Sequence, residues 1–257
     1  MKCQCLFLLA LVASMPGIAR ASLNETFDSS PGPWYTDRYA PSGFASPEFF
    51  DGDNRLKHSI SAADGASSRP GAYSSAFYNT QGMKLDLPAA TTSMQIDLYI
   101  PGDWASTGRR MAGFWGTAVD ALDAVSGYPI IEFTSDTATP RFRGWNGDGT
   151  WTDMGLPTGF AYDSWYTLVI ELIGTDFVYS VGDLSLTTPA DGSTAIDNVI
   201  LQGHNTTDGV DYDIHWDNLK APASVGVVPE ASTIAVWSVL SLIGLGAAAY
   251  RKRHSQA

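Results

Sequence analysis

The segment Trp145-Asn146-Gly147-Asp148-Gly149-Thr150-Trp151 places two indoles six residues apart, and the glycines permit a tight turn between them. Sugar rings present C–H faces that stack on exposed aromatic rings. Arg141, Arg143, Asn146 and Asp148 carry groups able to bond sugar hydroxyls. The expected glycan-contact set is Trp145, Trp151, Arg143, Asn146 and Asp148. The plainer reading of the same residues is an N-G-D-G hairpin whose tryptophans pack as a satellite of the core.

Asp213, His215 and Asp217 alternate near the end of the polar region, so on a strand they share one face. Such neighbours can hold a metal: a transition metal if histidine takes part, calcium if the ligands are carboxylates and carbonyls. A solvated outer face is the plainer reading of the three. Hydrolysis of a glycosidic bond needs two carboxylates facing each other across it. Glu132 and Glu171 are the glutamates expected in mid-strand, and nothing pairs them in sequence. A G-x-S-x-G elbow and an H-E-x-x-H helix are absent, and no catalytic residue is assigned.

Residues 22–222 hold 26 acidic and ten basic side chains, and 22 of the acids are aspartate. This surface repels nucleic acid and anionic lipid, and no nucleic-acid partner is expected. Both cysteines, Cys3 and Cys5, precede this region, which leaves it without a disulfide or thiolate site.

The elements that must position these groups read as strands. In Met94-Gln-Ile96-Asp-Leu98-Tyr-Ile100, apolar side chains fall on one face and Gln95, Asp97 and Tyr99 on the other. Trp165–Ile173 aligns Tyr166, Leu168, Ile170 and Leu172. Ile196–Gln202 and Tyr212–Leu219 are further strands, and Asp, Gly, Pro, Ser and Thr punctuate the intervals. Helical periodicity is missing from this region. The expected fold is all-β, a two-sheet antiparallel sandwich over residues 22–222.

The two ends differ from this pattern. Lys2, the apolar run 6–12 and Ala19-Arg20-Ala21 compose a signal peptide over residues 1–21, with cleavage before Ser22. Residues 223–257 contain Val228-Pro229-Glu230-Ala231-Ser232-Thr233, an uncharged stretch over 234–250, and Arg251-Lys252-Arg253. As a helix the stretch is about 25 Å long, close to the hydrocarbon thickness of a bilayer. The basic cluster stops transfer and sets the helix running from outside to inside.

Two resemblances follow. The string V-P-E-A-S-T, the apolar helix and R-K-R resemble the PEP-CTERM sorting signal, with Pro229, Glu230 and Ala231 as the motif and Ala231 standing where the usual motif has proline. This resemblance implies a bacterial, exported chain. It would be held at the inner membrane by its C-terminal helix, processed by an exosortase-type enzyme, and released to the cell surface or matrix. Ser164-Trp165-Tyr166-Thr-Leu168-Val-Ile170, then Gly174-Thr-Asp-Phe177-Val-Tyr179, and the closing Ile214-His-Trp216-Asp217-Asn218-Leu219 resemble concanavalin A-like, laminin-G-like jelly rolls. That resemblance implies a structural Ca2+ joining first and last strands, at Glu25, Asp217 and Asn218 here. Jelly-roll glucanases carry E-x-D-x-x-E on one strand, and that motif is absent.

The expected function is therefore an exported, exosortase-sorted surface or matrix protein acting as a non-catalytic module that binds extracellular polysaccharide. A structural or adhesive surface protein, and a glycan-cleaving enzyme, are the alternatives.

Overall fold

In a computed structural model, residues 22–63, 71, 80–106, 110–135, 139–204 and 210–222 are described. The signal peptide and the sorting segment expected at residues 1–21 and 223–257 lie outside them. Among the described residues no helix is long and apolar enough to cross a membrane.

Among the described residues sixteen strands run in chain order: β1 (Leu23–Glu25), β2 (Tyr35–Asp37), β3 (Gly43–Phe50), β4 (Asp53–Ile60), β5 (Thr80–Asp86), β6 (Ser93–Ile100), β7 (Met111–Val119) and β8 (Val125–Gly127). They continue as β9 (Ile130–Thr134), β10 (Arg141–Trp145), β11 (Trp151–Gly155), β12 (Ser164–Ile173), β13 (Asp176–Val181), β14 (Leu184–Pro189), β15 (Ala195–His204) and β16 (Tyr212–Ala221). The first sheet has the order β14-β13-β12-β6-β16-β4-β3, with β1 paired to β16. The second has the order β11-β10-β9-β7-β15-β5-β2, with β8 paired to β7. All pairings are antiparallel, as in a jelly-roll sandwich.

Alternation along the strands builds the core. Met94, Ile96, Leu98 and Ile100 of β6 are fully buried, as are Leu168 and Ile170 of β12. They meet Ala112, Phe114, Ile131, Phe133, Phe142, Val199 and Leu201 of the second sheet. Trp104, on a single 3-10 turn after β6, inserts between Phe133 and Tyr212. Emptying one such aromatic site costs roughly 3–5 kcal/mol. The expected strands at 94–100, 165–173, 196–202 and 212–219 all form, because the period-two pattern has only one burial solution in a two-layer sandwich. Phe27, just past β1, turns inward with a φ of 59° and is fully buried.

Candidate functional site

The outer face of the second sheet is where charged and aromatic side chains gather. The pairing register puts seven residues in one row straight across it. Asp37 is opposite Gly82, Gly82 opposite Gln202, and Gln202 opposite Gly113. Gly113 is opposite Glu132, Glu132 opposite Arg143, and Arg143 opposite Asp153. A second row runs beside it through Lys84, Ile200, Trp115 and Ile130, with Trp145 and Trp151 as a directly opposed pair at its end.

The two glycines of the row have a steric reason. A Cβ on Gly113 would lie 2.3 Å from Nε1 of Trp115, and one on Gly82 would lie 2.2 Å from Oε1 of Gln202. Bare backbone at these points lets the indole and the amide lie flat on the sheet. Gln202 donates through Nε2 to Asp37 Oδ2 at 2.6 Å, and its buried Oε1 has no partner among the described residues.

Arg143 donates through Nε and Nη2 to one oxygen of Glu132, at 2.7 and 2.5 Å. Its guanidinium lies 4.1 Å from the ring centre of Trp151, which is edge-on to Trp145 at 5.1 Å. Arg38 repeats the arrangement: it pairs with Asp37 and stands over Trp115 at 5.2 Å. Arg141 donates through Nε to Asp153 at 2.7 Å. The three arginines are thus each neutralised by a neighbouring carboxylate. The middle of the face is sheltered and its outer edge is open. Glu132 is 0% exposed, whereas the Asp153 side chain is 60% exposed.

The expected glycan-contact residues divide into two groups. Trp145, Trp151 and Arg143 stand on this face. Asn146 and Asp148 sit in the hairpin tip and stabilise it. Asp148 Oδ1 accepts from Thr150 N and Oγ1 at 2.9 and 2.6 Å, and these bonds hold its carboxyl below the usual range. Asn146 donates to Thr150 Oγ1 and accepts from Thr152 Oγ1. Gly147 and Gly149 have φ of 79° and 94°, which the turn requires.

The expected calcium set does not converge. Glu25 Oε1 accepts from Phe27 N at 2.9 Å. Asp217 pairs with Arg55 at 2.8 Å, and Asn218 points its amide nitrogen at Asp97 and Asp217. An amide aimed N–H first at carboxylates is the wrong donor for a cation. Among the described residues no group of three or more metal-binding side chains exists. Asp213, His215 and Asp217 do share a face, but each has a separate partner. Ser59 donates to Asp213, Phe50 stacks on His215 at 3.7 Å, and Arg55 holds Asp217. Burial pushes the His215 imidazole below its ordinary pKa.

Pattern reading missed Asp37, Gln202 and Asp153 as members of the row. The outward alternation of each strand could have placed them on a face, but not on the same line.

The two antiparallel sheets form a jelly-roll sandwich. The chain is similar to a glycoside hydrolase family 16 endo-glucanase from Bacteroides ovatus, at 7% identity and a TM-score of 0.51, covering 77% of this chain and 98% of that one. It is similar to the laminarinase catalytic domain from Thermotoga maritima, at 13% identity and 0.51, covering 79% and 98%. An endo-β-galactosidase from Clostridium perfringens matches at 11% identity and 0.51, covering 77% of this chain and 61% of that one. No family model matches the chain, and no curated protein sequence matches it.

These likenesses carry the fold. They also correct the expectation of a non-catalytic polysaccharide-binding module, because the structures that share this architecture are mostly glycan-cleaving enzymes. That expectation rested on the absence of several carboxylates along one strand, which has no bearing on carboxylates that different strands bring together: β9 turns only Glu132 outward, and Asp153 comes from β11.

Proposed function

We propose that this protein is a glycan-cleaving enzyme whose site is the Glu132–Arg143–Asp153 end of the cross-sheet row. The observation that supports this is the pair of carboxylates on the outer face, two strands apart, with two tryptophans beside them. Two antiparallel spacings separate the Cα atoms by about 10 Å. Inverting hydrolysis uses carboxyl groups about 6.5–9.5 Å apart, with room for a water.

Glu132 receives two N–H groups from Arg143, an arrangement made for the carboxylate form, and takes the proton of the attacking water. Asp153, at the open edge, takes up a proton from solvent and delivers it to the leaving oxygen. The hydroxyl of the water bonds the anomeric carbon as the glycosidic carbon–oxygen bond breaks, and Glu132 then gives the water's proton to solvent, so that each carboxyl returns to its starting state. Trp145 and Trp151 flank the sugar chain, and Arg141 positions Asp153.

The test is release of reducing ends from laminarin, mixed-linkage β-glucan and β-galactan by the full chain. Cleavage of one of them, lost in Glu132→Gln, is the expected result. Equal release by the parent chain and Glu132→Gln, or none from any of the three, overturns the reading.

The chain's termini support a second proposal about its location: export through residues 1–21, and tethering and sorting through Pro229-Glu230-Ala231 and the 234–250 stretch. The mass of the secreted chain tests it, with Ser22 as the expected first residue.

A further inference from the structure

At the side where β11 and β14 form the edges of their sheets, an open hollow of about 450 Å3 lies between the β10–β11 hairpin and β14. Small-ligand sites span roughly 300–1,000 Å3. Asn146, Asp148 and Thr152 line one wall, and Leu186, Thr187 and Asp191 are among the residues of the other. A pocket of about 20 Å3, bordered by Trp145, Tyr179, Gly147 and Asp191, shares Gly147 and Asp191 with the hollow. That is room for one water.

The chemistry of the lining is one-sided. Asp191 stands in the left-handed region with a φ of 46°, and its carboxylate has no hydrogen-bond partner among the described residues. Its Oδ2 lies 3.5 Å from where a Cβ on Gly147 would be. Asp148 commits only Oδ1 to the turn. Thr187 is exposed and adds a hydroxyl, while Leu186 and Pro189 supply hydrocarbon. Two carboxylates repel an anion. Acceptors beside apolar carbon suit a ligand that donates many O–H groups from a C–H framework.

We propose that this hollow is a separate binding site for an uncharged sugar unit. It lies off the outer face and takes a part of the polysaccharide that the cleavage site does not hold. This inference rests on the glycan reading above but not on cleavage.

The experiment is calorimetric titration of the full chain carrying Glu132→Gln with hexasaccharides of β-1,3-glucan, β-1,4-glucan and β-galactan. The chain with Glu132→Gln and Asp191→Asn, and the chain with Glu132→Gln and Thr187→Val, follow. Asparagine tolerates the left-handed backbone at 191, so folding is preserved. One hexasaccharide is expected to bind, and Asp191→Asn to weaken it about tenfold, in line with loss of a charge-assisted hydrogen bond. Cleavage by the parent chain, measured in parallel, keeps the two readings apart. Unchanged affinity in both variants overturns the hollow while leaving cleavage intact. Failure of all three sugars to bind overturns the sugar assignment. An effect of Asp191→Asn that needs calcium and vanishes in chelator overturns it in favour of a cation site.

Discussion

Glu132 and Asp153 occupy the same row of the second sheet with Arg143 between them, one carboxylate fully buried and the other largely open to solvent. The buried member is held by an arginine of the next strand, and the exposed member by Arg141 of that same strand. This asymmetry gives each residue a different predicted response to substitution.

On a substrate that the chain cleaves, Glu132→Gln and Asp153→Asn are each expected to lower kcat by about 100-fold or more, the scale of losing general acid–base help. Initial rates of reducing-end release check this. Asp153→Asn is expected to leave the melting temperature within a few degrees of the parent, because an exposed ion pair contributes about 1 kcal/mol at most.

Arg143→Ala leaves the buried Glu132 carboxylate without its paired guanidinium. The expected loss is roughly 3–5 kcal/mol, read by urea unfolding. Replacing both partners together, as Glu132→Leu with Arg143→Met, is expected to recover most of that stability while leaving the chain inactive. If the double variant is as unstable as Arg143→Ala, the cost lies in packing against Trp151 and not in the orphaned charge.

Gly113→Ala is expected to lift the Trp115 indole off the sheet, since the added carbon would meet Nε1 at 2.3 Å. A rigid ring cannot give way as a flexible chain would. The expected cost is roughly 1–3 kcal/mol, with a red shift of tryptophan emission. Emission unchanged from the parent would show that the ring does not rest on residue 113.

His58 supplies a pH dependence. It is fully buried, its Nε2 meets Gln81 O at 3.1 Å, and burial lowers its pKa from 6.5 to about 4. Between those values the unfolded chain binds the proton and the folded chain does not. Stability is therefore full above pH 6.5 and falls as pH drops toward 4, by about 3 kcal/mol in all. Urea midpoints at pH 7 and pH 4.5 check this, with His58→Gln expected to flatten the difference.

The strands of the core were legible because their signal is local. Met94, Ile96, Leu98 and Ile100 face inward for no reason beyond period-two alternation against a second layer. The turn at 146–149 was legible for the same kind of reason, since glycines and aspartate there satisfy their own backbone. The tryptophan pair at its base followed from the turn.

The row from Asp37 to Asp153 was not legible. Gln202 and Asp37 are 165 positions apart, and their contact depends on which strands pair and in what register. A single-residue slip of any one strand would send its member of the row to the opposite face. The sequence alone thus determined the strands, the hairpin and which side chains each strand turns outward. Only the tertiary structure decided which outward residues stand together, because strand pairing and register are chosen by the joint burial of both sheets and by no segment on its own.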